Sequence, residues 1–277
     1  MDLFNAIRQR RTTNGPFRPE PIAPEHLRLL LEMASRAPSH FNSQPWRFIV
    51  VQDAERRQRI AEIAGESMRL LMEEGSFWRR YSRYFRFSRE EAEQSADGIH
   101  FDSMPGVLKP FARYVFSPKG GAMMNKLQVP RVLGHDAQRL VATSPLLLGI
   151  TLTRGEYQAG ELSALYSVIS LGAVIQTIWL TATALGIGMQ FVSTPMEVEG
   201  QWEKIVALLG VPDDHALLAV FRLGYIDPQA KRPTIDWVSP QRKPITELAF
   251  SEHWGQPLPA AVLAPVLGAP EEEPPQP

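Results

Sequence analysis

Apolar positions along this chain fall into short unbroken runs and helically spaced stripes. Trp46 to Val51 (WRFIVV), Pro145 to Thr153 and Ala216 to Gly224 (ALLAVFRLG) are nearly continuous apolar runs, the signature of buried strands. Leu27, Leu30, Leu31 and Ala34 mark the core face of a helix that Pro24 opens at its first position. Ile60, Ile63 and Ala64 mark another, capped by Asp53. Trp202, Ile205, Val206 and Leu209 mark a third. Ahead of it, Thr194, Pro195, Met196 and Glu197 have the Thr-x-x-Glu form of a capping box. Asp2 to Arg10 reads as a short first helix. Leu162 to Met196 contains no charged residue, and its helix is expected to run to about Leu185. That length could cross a bilayer. Ser163, Ser167, Ser170, Gln176, Thr177, Thr181 and Thr183, together with sparse basic flanks, argue instead for a helix buried on all sides, at a subunit interface.

The stretch from about Gly75 to Arg139 has no single period. Phe77, Tyr81, Tyr84 and Phe85 fall on one helical face, interleaved with Arg79, Arg80, Arg83, Arg86 and Arg89. Two readings stand: an amphipathic helix with a solvated basic face, or a lid whose aromatics cover a planar substrate and whose arginines attract anionic groups. Gly98 to Gly121, with Pro105, Pro110 and Pro118, is expected to be loop. After Trp254 the chain is rich in Pro, Ala and Glu up to Pro277, a composition that suits a disordered or partner-draped tail.

Composition narrows the classes. With 277 residues, 44% of them hydrophobic, the chain has ample core for one large domain or two small ones. A formal net charge of -1 gives no basic excess for nucleic acid. The absence of cysteine excludes disulfides, zinc-thiolate sites and cysteine nucleophiles. It also fits the cytoplasm, as does an N-terminus, MDLFNAIRQRR, without a signal pattern. The six histidines show no metal-ligand spacing, and no Gly-x-Ser-x-Gly elbow or Walker A sequence is present. Gly186 and Gly188, in LGIGMQFVS, miss a dinucleotide fingerprint: the third glycine is absent and the motif follows a helix.

The densest chemistry lies in Ala37 to Val51, APSHFNSQPWRFIVV. Pro38 stops the preceding helix. Ser39, His40, Asn42, Ser43 and Gln44 then crowd donors and acceptors ahead of the strand. Alone this is a helix-to-strand connection that satisfies its own backbone. Its Ala-Pro-Ser, Asn and Gln-Pro-Trp resemble the flavin-contacting loop of the FMN-dependent nitroreductase family. Arg10, Arg11 and Thr12 resemble that family's Arg-Arg-Ser-x-Arg phosphate motif, with Asn14 where many relatives carry a cation. LGIGMQFVS resembles its Leu-Gly-Leu-Gly turn into a strand, and SPQRKPITEL its closing Arg-x-Pro-Leu/Ile-Glu segment. The resemblance covers Ile7 to about Ile63 and Leu146 to about Leu248.

The resemblance implies an α+β fold, a nitroreductase-like sheet flanked by helices, in an intertwined homodimer with FMN at the interface. Residues 1–250 would form one flavin domain with a variable insert at about 75–140, and 251–277 a Pro-rich tail. Arg10, Arg11, Thr12, Arg242 and Lys243 would hold the phosphate, and Asn14 would reach the flavin without bringing charge. Pro38, Ser39, His40, Asn42 and Gln44 would position the ring from the other subunit, and Val192 and Ser193 would approach N5 and O4. The implied activity passes electrons from NADH or NADPH to nitroaromatics, quinones or activated alkenes, with no obligatory protein proton donor. Tyr81, Tyr84, Arg83 and Arg86 are the candidate acceptor-selecting residues. Within the resemblance, reductive dehalogenation and flavin fragmentation stay open, and outside it a flavin-binding protein without turnover. No membrane or nucleic-acid partner is expected.

Overall fold

Strands packed against a core are mostly apolar, and the three nearly continuous runs form adjacent strands of one sheet. The computed structural model describes residues 1–103, 106, 109–117, 119–230, 236–239 and 241–264. In chain order the first elements are α1 (Leu3–Gln9), α2 (Pro24–Ala34), β1 (Trp46–Val51), α3 (Ala54–Glu73), α4 (Ser76–Tyr81), β2 (Phe85–Arg86), α5 (Arg89–Ser95) and β3 (Ile99–Ser103). There follow α6 (Ala112–Val115), α7 (Gly121–Lys126), α8 (Val129–Ala142), β4 (Leu146–Thr153) and α9 (Leu162–Ala184). The chain continues through β5 (Ile187–Phe191), α10 (Gln201–Leu208), β6 (His215–Tyr225) and β7 (Asp236–Val238) to the short α11 (Ile245–Leu248) and α12 (Ala260–Leu263).

The main sheet has the order β1-β4-β6-β5 and is antiparallel throughout. Its alternating positions divide the core. Leu146, Leu148, Ile150 and Leu152 of β4 pack toward α2 and α9, with Leu30, Val174 and Ile178. Leu147 faces the other way, with Ile60, Ala64, Val141 and Ile205 of α3, α8 and α10. Asp53 caps α3 by accepting the Arg56 N–H at 2.9 Å.

Residues 13–17 lie across the α3 and α8 side of β5 and β6. The Thr13 N–H donates to the Met189 carbonyl at 3.2 Å. This approach requires Gly188 and Gly224. A Cβ on Gly188 would sit 2.7 Å from Phe17 Cε1, and one on Gly224 2.5 Å from Phe17 Cβ. Gly186, with φ at 69°, makes the turn out of α9. The LGIG motif is therefore a turn followed by a bare patch of strand.

The insert has its own small sheet, β2-β3-β7, with β2 and β3 parallel and β7 antiparallel. Beside it Trp78, Phe85, Phe101 and Phe116 form an aromatic core with ring centroids 4.9–5.3 Å apart.

Four expectations are corrected. The single helical face through Phe77, Tyr81, Tyr84 and Phe85 does not form: α4 stops at Tyr81, Ser82–Tyr84 is a 3-10 turn, and Phe85 pairs with Ile99. Burial of Phe85 in the aromatic core draws the backbone out of the helix. The expected loop at Gly98 to Gly121 contains β3 and α6. The capping box does not cap a helix either. Thr194–Glu197 is a 3-10 turn, Glu197 bonds to the insert, and α10 starts at Gln201 after Gly200 turns left-handed at φ 74°. Finally, α9 is long and apolar enough to cross a membrane, but it is buried on one side only. Ser170, Val174 and Ile178 face the core, while Leu162, Leu165, Val168 and Ile169 are exposed. Of the Pro-rich tail, residues 265–277 lie outside the described residues.

Gly188→Ala should destabilise the apo-protein by about 1–3 kcal/mol, the usual cost of forcing extra atoms into a packed site. Urea denaturation checks this, and an unchanged midpoint would mean that residues 13–17 are not seated on the sheet.

Candidate functional site

Three groups of residues make up the candidate site. The first is the loop after α2. Ser39 Oγ accepts the Gln44 N–H at 3.0 Å, and Gln44 Nε2 donates to Asn42 Oδ1 at 3.1 Å. The His40 N–H donates to Ser170 Oγ at 3.3 Å, and the His40 ring stacks on Tyr166 at 4.9 Å, so α9 anchors the loop. Phe41, Asn42 and Gln44 all have left-handed φ, at 46°, 55° and 46°. Such non-glycine conformations cost about 1–2 kcal/mol per residue and concentrate at functional sites. Pro38, Asn42 and Gln44 are exposed, and Phe41 is 95% exposed.

The second group is cationic. Arg10 is the C-terminal cap of α1, and its guanidinium lies 5.1 Å from the Trp179 ring centre. Arg11 bonds back to the carbonyls of Arg8 and Arg10 at 2.5 and 2.9 Å. Arg242 bonds to those of Ser239 and Gln241 at 2.9 and 2.6 Å. Burial, and then the charge of Arg242, hold Arg10 below its ordinary pKa; burial, Arg242 and Arg10 do the same to Arg11. The fold thus gathers three guanidiniums from opposite ends of the chain within reach of one another's charge. Lys243, the next residue, has its ammonium 3.5 Å from Glu247. Thr12 is exposed next to Arg11.

The third group lines a cleft of about 380 Å³. Gln190 comes from β5, Val192 and Ser193 from just beyond it, Arg222 from β6, Ala64 and Leu140 from α3 and α8, and Phe77, Tyr81 and Tyr84 from the insert. The structure therefore brings Val192 and Ser193 together with Tyr81 and Tyr84. It does not bring Arg83 or Arg86 into the lining. Arg83 donates to Tyr84 Oη at 2.8 Å with its guanidinium over the ring. Arg86 pairs with Asp97 and donates to the Arg83 carbonyl at 2.7 Å, which ties the insert together. The loop at 38–44 is also absent from this lining.

Sequence reading missed three lining residues. Glu197 sits at the rim and accepts from Tyr81 Oη and Arg80 Nη1, each at 2.8 Å. Burial, and then this bond, push the Tyr81 hydroxyl above its ordinary pKa. Gln190 and Arg222 were hidden in strands read only for their apolar content. The signal was a lone arginine in ALLAVFRLG, since an unpaired charge in a buried strand is costly. Arg222 is 1% exposed.

Residues 7–225 match the Nitroreductase family. The chain is 39% identical over 228 residues to a protein of Thermus thermophilus named NADH dehydrogenase, covering 81% of this chain and 87% of that one. It is 27% identical over 242 residues to the 5,6-dimethylbenzimidazole synthase of Rhodospirillum rubrum, covering 84% and 92%. Among solved structures it is similar to the FMN and NADPH-dependent nitroreductase NfnB of Sphigopyxis sp. strain HMH, with a TM-score of 0.53, 19% identity, and coverage of 92% of this chain and 100% of that one.

The contact between Glu197 and Tyr81 should couple the insert to the strand end. A double-mutant cycle of Tyr81→Phe and Glu197→Gln, read from amide exchange in α4, should give a coupling of about 1–2 kcal/mol, as for a hydrogen bond to a charged group near the surface. Additive single effects would contradict the contact.

Proposed function

The chain belongs to the nitroreductase family, and from that premise we propose that it is a homodimeric FMN-dependent oxidoreductase. It takes electrons from NADH or NADPH and passes them to electron-poor acceptors such as nitroaromatics, quinones or activated alkenes. The observation that carries this reading is the cluster of Arg10, Arg11 and Arg242. The charge of Arg242 bears on both Arg10 and Arg11, and a phosphate, with its forked pairs of oxygens, would relieve that repulsion. FMN fits the donor set: a cationic cluster for its phosphate, and a largely apolar cleft bordered by a strand end for its ring. Two relatives carry names in keeping with the reading, the FMN and NADPH-dependent nitroreductase and the NADH dehydrogenase.

The chemistry supplied by bound FMN is acceptance of two electrons from the nicotinamide and their delivery to the acceptor. Arg10, Arg11 and Arg242, with the Thr12 hydroxyl, would hold the phosphate, and Lys243, paired with Glu247, would add its charge. Val192 and Ser193, which line the cleft, would border the ring. Ala64, Leu140 and Val141 keep water from that side. Tyr81 and Tyr84, from the insert at about 75–140, cover the acceptor. Selection by shape follows from these aromatics. Selection of anions by Arg83 and Arg86 is not proposed, since both are engaged within the insert.

A second copy of the chain completes the site. The exposed apolar residues of α9, namely Leu162, Leu165, Val168 and Ile169, join those of α1, Leu3, Phe4 and Ile7, on elements that touch one another. The 38–44 loop is anchored on the same helix through Tyr166 and Ser170. Pairing through this surface covers the patch and carries Pro38, Ser39, His40, Asn42 and Gln44 to the neighbour's cleft. A stable pairing of this kind buries on the order of 2,000 Å² or more in total. Dependence on NADH or NADPH agrees with a cytoplasmic setting.

The test is one anaerobic spectrum series. Purified protein loaded with FMN should bleach on addition of NADH or NADPH and regain its colour with a quinone or nitroaromatic. A bound flavin that neither reductant bleaches would make the protein a flavin binder without turnover. Halide release, or breakdown of the flavin itself, would move the activity to the dehalogenating or flavin-fragmenting chemistry.

A further inference from the structure

Arg10 and Arg11 both meet one side chain, Trp179 of α9. The Arg10 guanidinium lies over the indole, 5.1 Å from the ring centre. The indole Nε1 donates to the Arg11 carbonyl at 3.3 Å. Trp179 is itself held by the core. It is half-buried, packs against the cluster beneath α2 and α9, and meets the buried Phe221 of β6 edge to face at 5.9 Å. α1, which carries the arginines at its C-terminal end, rests on the same helix. The indole is therefore a fixed platform between the core and the cationic pair.

The kind of contact decides what the cation can still do. A carboxylate would take the N–H fork of Arg10 and cancel its charge. An aromatic face attracts the cation through its quadrupole and leaves the charge in place. Among the described residues no carboxylate pairs with Arg10 or Arg11; the charge of Arg242 bears on both, and that of Arg10 on Arg11. Trp179 thus orders Arg10 without neutralising it. The bond from Nε1 is long beside the usual N–H···O distance of about 2.9 Å, so the ring face carries more of the hold than the N–H.

We propose that Trp179 is the positioning residue of the phosphate cluster: it holds Arg10 by the face of its ring and Arg11 by the carbonyl, and so sets the affinity for the phosphate of FMN rather than for its ring system. The inference rests on the reading of Arg10, Arg11 and Arg242 as a phosphate site. It gives α9 two duties. The helix anchors the 38–44 loop at Tyr166 and Ser170, and the cationic pair at Trp179, roughly 14–20 Å further along its axis.

The test titrates the full chain with FMN and with riboflavin, which share a ring system and differ by the phosphate. Trp179→Leu removes the ring face. It should weaken FMN binding about five- to tenfold and riboflavin binding less than about twofold. Trp179→Phe keeps a smaller ring and loses the N–H, and should weaken FMN binding about two- to threefold; it serves if the leucine variant fails to fold. In an Arg10→Gln background either change should add less than about twofold, because the platform then has no guanidinium to hold. Three results overturn this inference and leave the functional reading standing: unchanged FMN affinity, equal losses for FMN and riboflavin, or a loss that persists in full without Arg10. Failure of the unmodified protein to bind FMN overturns both.

Discussion

The arrangement of this site depends on the close seating of residues 13–17 on the β5–β6 pair. Two glycines, Gly188 and Gly224, leave that part of the sheet without side chains, and the N-terminal segment occupies the space. Arg222 then clamps the segment from below through the Thr13 and Gly15 carbonyls. Three consequences follow from this one contact. Arg10 and Arg11 emerge from α1 at a fixed place, within reach of the charge of Arg242 from the other end of the chain. Asn14 is held against Gln190. The end of β5 is left free to deliver Val192 and Ser193 to the cleft. Burying a guanidinium is costly, and the cost is offset by hydrogen bonds to fixed carbonyls and an amide that are already part of the fold.

Much of the framework could be read from the chain. The runs at 46–51, 145–153 and 216–224 became β1, β4 and β6, because strands packed against a core are mostly apolar. The charge-free stretch became α9 within one residue of the expected end. The insert resisted, because its aromatics serve a separate core and the backbone changes from helix to turn to strand within a few residues. Thr194–Glu197 misled because a capping box is a local pattern, and a partner more than a hundred positions away claimed the Glu197 carboxylate. The arginine cluster was legible only by family resemblance. No period or spacing links Arg10 to Arg242. Arg222 was concealed by the same apolar context that made its strand easy to find.

The remaining features concern surface that a single chain leaves uncovered. The 38–44 loop holds three non-glycine residues in left-handed conformation and ties Gln44 to Ser39 and Asn42, yet it projects Phe41 almost fully into solvent. It is stiff and anchored on α9, but lies outside the cleft lining of its own chain. One side of α9 is likewise apolar and exposed. The second copy proposed above would account for all three features at once.

Complementation between two defective chains tests that claim most directly. One variant carries Arg10→Ala and Arg11→Ala, and the other carries Asn42→Ala and Gln44→Ala; each alone should bind FMN poorly. Unfolded together and refolded as a mixture, they should form mixed dimers in which one site has both defects and the other has none. The account predicts that FMN binding and nicotinamide-driven reduction return in the mixture, at one intact site per mixed dimer. A mixture no better than its separate components, with mixed dimers shown to be present, would mean that each site is built from a single chain and would contradict the account.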